Sequence, residues 1–185
     1  MLPAILGTKL ALVPTQEKDK DLFFKMATQS DATPFWYGEL YGNKIPSWEE
    51  FFKDFHDAYF QDHPNANCRS YLIQLKKTGE TIGQINYQQD KRYPNKKVFD
   101  FDILIAWKKH HGKGYGPKAL GLLMRHLESH NCPEFFTIYV LKKNPKAKRA
   151  YLKVGFRFHS EYTDENGKGT FKFVRKPYFR IKAKL

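Results

Sequence analysis

The sequence predicts a single α+β domain (α/β in the broad sense) spanning residues 1–185, built around a mostly antiparallel sheet. Two observations carry this. Alternating strand patterns with a tight turn crowd the middle of the chain, and a strand–helix–strand–helix unit follows, closed by a last hairpin.

In chain order, residues 9–13 read as a short strand stopped by Pro14, and 18–29 as a helix with Leu22, Phe23 and Met26 at helical spacing. Residues 33–46 mix Pro, Gly and large apolar groups, among them Phe35, Trp36, Tyr37 and Tyr41, and read as an ordered loop. Ser47 opens a helix running to residue 60, with Glu50 completing a capping box. On it Trp48, Phe51, Phe52, Phe55 and Tyr59 form an aromatic stripe, which is core or, at its edge, the wall of a pocket. Residues 70–76 and 81–89 flank the turn 77–80 as a hairpin. Residues 98–106 alternate, with Phe99, Phe101, Ile103 and Ile105 on one face and Asp100, Asp102 and Leu104 on the other. An amphipathic helix at 117–129, a strand at 135–141 and a helix at 145–154 ending at Gly155 come next. Strands 156–162 and 170–181 around the turn 164–167 finish the chain.

Apolar residues at 41% supply enough material for a core, which excludes a disordered chain. No stretch approaches the roughly 18 apolar residues of a membrane span, and MLPAILG is too short for a signal peptide, so a cytoplasmic protein without membrane contact is expected. Cys68 and Cys132 have no disulfide or metal spacing and read as reduced thiols. The seven histidines lack paired spacing, and no metal is expected. The net charge of +13 is uneven: residues 1–65 hold 10 acids against 6 bases, residues 66–185 hold 9 against 26. The basic block attracts a polyanion or a phosphorylated cofactor, the acidic third a cation.

The stretch His110-His111-Gly112-Lys113-Gly114-Tyr115-Gly116 joins a strand to a helix. Glycines admit a bulky anion to the backbone, and the first helical turn offers unpaired N–H groups, so this is a pyrophosphate site or a tight connection only. Lys108, Lys109 and Lys113 add positive potential. The P-loop string is absent, and GxGxG departs from the dinucleotide fingerprint. The segment resembles the acetyl-CoA motif Q/R-x-x-G-x-G/A of the GNAT superfamily, with His111 in the Q/R place and Gly114 and Gly116 in the glycine places. A second resemblance follows at Asn144-Pro145-Lys146-Ala147 and Tyr151-Leu152-Lys153-Val154-Gly155-Phe156, similar to N-x-x-A-x-x-x-Y-x-K-x-G-F. Together they cover about residues 81–159.

The resemblance implies the GNAT fold: about seven strands, about four flanking helices and one splayed strand pair that admits the pantetheine arm of acetyl-CoA. It implies acetyl transfer to an amine, with residues 110–116 holding the pyrophosphate and backbone N–H groups near Leu104–Ile105 meeting the thioester oxygen. Asn144 would bind the arm, and one of Lys142, Lys143, Lys146 and Arg149 the remaining phosphate. Amine attack needs a proton acceptor and the leaving thiolate a donor. The strand carrying Asp102 resembles the bacterial aminoglycoside 6′-N-acetyltransferases, which makes Asp102 the base or the group orienting the ammonium, and Tyr151 the acid. Asp100, on the same face, raises its neighbour's pKa or helps to hold a polycation; otherwise both carboxylates simply face water.

For the acceptor three readings stay open. An aminoglycoside or similar polycationic amine suits Asp100, Asp102 and the acidic first third, with Trp36, Tyr37 and Glu39 bordering the groove. A protein N-terminus or lysine suits the likeness of the glycine turn to the ribosomal-protein alanine acetyltransferases. A small metabolite amine such as a polyamine is the third. Outside this class stand a basic nucleic-acid-binding module, with aromatic and basic residues interleaved near 171–180, and a cofactor-binding protein without transfer activity. A monomer or homodimer is expected.

Overall fold

The computed structural model describes residues 2–36, 44–53, 55, 57–61, 65–163 and 169–178. One sheet of eight strands runs through the molecule: β1 (Ile5–Leu6), β2 (Leu10–Pro14), β3 (Cys68–Leu75), β4 (Thr81–Gln89), β5 (Val98–Ile105), β6 (Phe135–Leu141), β7 (Arg157–Thr163) and β8 (Gly169–Arg175). Their spatial order is β1-β2-β3-β4-β5-β6-β8-β7, every neighbouring pair antiparallel except β5 and β6. The described helices are α1 (Lys20–Thr28), α2 (Thr33–Trp36), α3 (Trp48–Lys53), α4 (Tyr115–Asn131) and α5 (Pro145–Lys153).

The expectation of seven strands and four helices is one short in each class. β1 is two residues long and α2 a single turn, both below the length at which a periodicity can be read. The helix expected at 47–60 also breaks up. Its start is as read, with Glu50 N donating to Ser47 Oγ (3.2 Å) and Ser47 N to Glu50 Oε2 (2.9 Å). The described helix runs to Lys53, Phe55 is already in a bend, and a 3-10 turn, Asp57–Tyr59, follows. The turn expected at 164–167 lies outside the described residues.

Each face of the sheet has its own apolar cover. Leu120, Leu123, Met124 and Leu127 of α4 pack against Ile85, Phe99, Phe101, Phe136 and Ile138, and Tyr151 of α5 joins this cluster. On the other face Phe23 of α1 meets Phe51, Phe55 and Phe60 edge-on at 6.2, 5.4 and 5.4 Å, so most of the aromatic stripe is core. Beside it Met26, Leu72, Leu104 and Ala106 close the same face. No described helix is long and apolar enough to cross a membrane.

The sheet opens in one place. β5 and β6 pair from Val98↔Phe135 to Phe101↔Ile138 and no further, although β5 continues to Ile105 and β6 to Leu141. On the other side β5 stays tightly paired to β4 throughout. Gly83 makes that closeness feasible, because a Cβ there would lie 2.0 Å from the Leu104 carbonyl oxygen.

Candidate active site

The backbone of β5 decides which groups look into the gap. Ala106 N donates to Ile82 O and Asp90 N to Val98 O, so even-numbered residues of β5 turn their polar backbone toward β4. Leu104, expected to donate to the thioester, therefore faces β4 instead. The amides of Ile105 and Ile103 face the gap. The Ile105 carbonyl is taken by His111 Nε2 at 2.7 Å.

At the end of β5 a 3-10 turn, Lys108–His110, leads into the glycine segment. Gly112 (φ 73°) and Gly114 (φ 75°) are in the left-handed region, and a Cβ on either would meet nothing within 4 Å. Glycine is needed here for conformation, while the open space leaves the backbone approachable. Gly114 caps α4 without any side-chain cap, which leaves the amides of Tyr115 and Gly116 as helix-end donors. Gly116 sits over Ile105 and Ile103, joining this turn to the gap. The turn is clamped from outside: Lys109 Nζ (2.5 Å) and His110 Nε2 (3.2 Å) both reach Glu80 Oε1, whose carboxyl is held below its ordinary range by these bonds. Lys108 N donates to Asp31 Oδ2 at 2.8 Å, tying the segment after α1 to the same turn. Lys113 is exposed in the turn.

On the far side of the gap Asn144 is the N-cap of α5, its Oδ1 accepting from Ala147 N at 3.0 Å. That bond engages the oxygen and leaves the amide nitrogen for a ligand. Lys146 and Arg149 are exposed on α5, whereas Lys142 is paired with Glu161.

Asp100 and Asp102 lie on the α1 face of β5 with different surroundings. Asp100 accepts from Phe101 N (3.0 Å) and from Arg92 Nη2 (3.3 Å). The Asp102 carboxylate has no hydrogen-bond partner among the described residues. It is exposed to solvent, with protein atoms close enough around it to cost it part of its hydration. Loss of hydration raises the proton affinity of both carboxyls, and the charge of Asp102 raises that of Asp100 further. Tyr151 is buried on the opposite face, and its phenol is pushed up by burial and then by the charges of Asp102 and Asp100, which reach it where the sheet is open. Tyr59 is pushed up in the same way, by burial and then by Asp102.

The structure thus brings together Asp100, Asp102, Tyr151, Ile105, Asn144 and the glycine turn. The side chain of Trp36, and Tyr37 and Glu39, lie outside the described residues. Sequence reasoning gave no site role to Ile103, Arg92 or Gly83, and Tyr59 entered only as a member of the aromatic stripe. Only Gly83 carried a signal, since glycine inside a strand marks a bulge or a close approach. Among the described residues no three metal-ligating side chains converge.

Residues 9–157 match the profile of the acetyltransferase (GNAT) domain. Comparison with curated proteins gives no match. Among solved structures, a GNAT-family acetyltransferase from Bacillus anthracis superposes with TM-score 0.72 at 13% identity, over 95% of this chain and 99% of that one. The spermidine N-acetyltransferase from Vibrio cholerae, in complex with CoA and spermine, gives 0.69 at 17% identity, over 92% and 97%. The aminoglycoside acetyltransferase AAC(6')-Ib, with ribostamycin and coenzyme A, gives 0.74 at 20% identity, over 96% and 100%. At such identities the superpositions establish the fold, and the profile establishes the family. The split sheet, the glycine turn at its end and a profile match across most of the sequence agree: the chain belongs to the GNAT acetyltransferases.

Proposed function

We propose that this protein moves the acetyl group of acetyl-CoA onto a primary amine of a small polycationic acceptor, with Asp102 as the base. The observation that carries this is the opening between β5 and β6, which has backbone donors along one wall, anion-binding amides at its end and an unpartnered carboxylate beside it. Acetyl-CoA supplies an acyl group activated as a thioester. Gly112, Gly114 and the first turn of α4 hold the pyrophosphate, and the amides of Ile103 and Ile105 line the arm and the thioester oxygen. The Asn144 amide nitrogen supports the arm from the other wall, and Lys146 or Arg149 meets the remaining phosphate.

An ammonium must lose a proton before it can attack. Asp102, with its raised proton affinity and solvent access, is suited to orient that ammonium and take the proton. As the carbon–sulfur bond breaks, a proton from Tyr151 neutralises the departing thiolate, and the second proton, shed by the acylated nitrogen, restores the phenol by way of water; the high proton affinity of the phenol keeps it protonated until the thiolate forms. Asp100, Asp102 and the acidic first third of the chain favour a cationic acceptor. Two proteins of the same fold support the reading, one bound to ribostamycin and one to spermine. Trp36, Tyr37 and Glu39 remain proposed acceptor contacts.

Acetyl-CoA-dependent thiol release against aminoglycosides, polyamines, amino acids and N-terminal peptides tests the reading. Turnover is expected with an aminoglycoside or polyamine, lowered about 100-fold or more in Asp102→Asn and less in Tyr151→Phe. Turnover confined to peptides would overturn the acceptor assignment, and full activity of Asp102→Asn would overturn the base.

A further inference from the structure

Arg92, in the loop between β4 and β5, lies outside every motif read from the sequence, yet it bonds two carboxylates and an aromatic ring beside the gap. Its Nε is 2.6 Å from Asp90 Oδ1, and its Nη2 is 3.1 Å from Asp90 Oδ2 and 3.3 Å from Asp100 Oδ2. Asp90 is buried and also accepts from Thr137 Oγ1 at 3.0 Å. The guanidinium stacks on the Tyr139 ring, 4.0 Å from its centroid, at the edge of the gap. One cation thus serves two carboxylates and an aromatic face, while Asp102, two residues from Asp100, has no such partner among the described residues.

We infer that Arg92 is a positioning residue for acetyl transfer: bonded to Asp90 and Asp100 at once, it fixes the carboxylate beside Asp102 and, as a cation against that pair, sets the pH above which Asp102 is free to take the amine proton. The inference rests on Asp102 being the base. Two carboxylates on alternate residues of one strand face resist being ionised together, and they share their protons as a pair. A fixed cation against one of them offsets that resistance and lets both ionise at lower pH. The groups coupled to this carboxylate pair are Arg92 and Asp90 beyond β4, which act on Asp100, and the phenols of Tyr59, Tyr139 and Tyr151, which feel the charge of one or both carboxylates. Among these, Arg92 is the single permanent cation. Arg92 and the other cations of its loop, Lys91, Lys96 and Lys97, are all exposed, but the three lysines have no side-chain hydrogen bond or ion pair among the described residues.

The experiment is kcat/KM for the amine at saturating acetyl-CoA, from about pH 5 to about pH 9, where the acid limb reports the base of the free enzyme form. Arg92→Gln should move that limb up by about one pH unit, Arg92→Lys should leave it near the wild-type position, and Asp100→Asn should move it down. A lowered rate in Arg92→Gln with an unmoved limb would mean a merely structural arginine and overturn the inference. So would an unmoved limb in Asp100→Asn, which decides the matter if Arg92→Gln, with Asp90 left unpaired, does not fold. Failure of the underlying reading looks different: Asp102→Asn would then keep both the rate and the limb.

Discussion

Gly83 holds β4 against the strand that bears the site, and replacing it by alanine should damage activity more than stability. An added Cβ would lie 2.0 Å from Leu104 O and 3.0 Å from the Ile105 Cα, both backbone atoms that no rotamer change can move aside. Bringing the first contact out to about 3 Å requires the two strands to part by about 1 Å. The Ala106 N to Ile82 O bond, 2.9 Å long, would then be stretched beyond useful range. Overpacking of this kind costs roughly 1–3 kcal/mol, partly offset by the stiffer unfolded chain that alanine gives. The displacement falls on Leu104–Ile105, one wall of the gap, and an error of about 1 Å in a positioned group can cost about 100-fold in rate. Urea denaturation together with kcat/KM for both substrates measures the two effects. A Gly83→Ala protein with wild-type stability and a rate within about threefold of wild type would refute the reasoning.

Other outcomes follow from the same geometry. Asp102→Asn should lose about 100-fold or more in kcat/KM and yet melt higher than wild type near neutral pH. The sign is set by its raised folded-state proton affinity: the carboxyl favours the fold below the ordinary carboxylate range, and that contribution is lost as pH rises through its folded-state pKa. The difference in melting temperature should therefore vanish in acid, as scanning calorimetry at several pH values would record. Gly114→Ala forces a side chain to φ 75°, at about 1–2 kcal/mol; equilibrium unfolding should show that loss, and steady-state kinetics a raised KM for acetyl-CoA with kcat little changed. Phe23→Ala, at the centre of the aromatic cluster on the α1 face, should cost about 3–5 kcal/mol in chemical denaturation.

Much of the site was readable because its residues are close in sequence. The alternation of β5 put Asp100 and Asp102 on one face, the glycine spacing marked the turn, and Asn144 and Gly155 bracketed α5. What stayed hidden depends on partners far along the chain. Leu104 and Ile105 cannot be told apart as donors without knowing that Ala106 pairs with Ile82. Arg92 shares its loop with Lys91, Lys96 and Lys97, and only the folded hairpin shows which of the four reaches Asp100. The helix expected to run through residue 60 has given way to a bend by Phe55, and its remaining aromatic residues pack around Phe23 from a turn. Helical spacing records that these side chains share a side, and a turn can satisfy it as well.

A split inside a sheet is also two raw edges, and raw edges recruit strands from other chains. Here the breach is short, four residues of β5 against three of β6 beyond the last shared rung. Its outer carbonyls are already stoppered, Ile105 by the His111 ring and Leu141 by the Asn144 amide at 2.9 Å. A strand of ordinary length, about five or six residues, finds too few free rungs to dock. The protein can thus keep a permanent opening in its core without inviting self-association there, because the slot is too brief for polypeptide and long enough for a thin flexible tether.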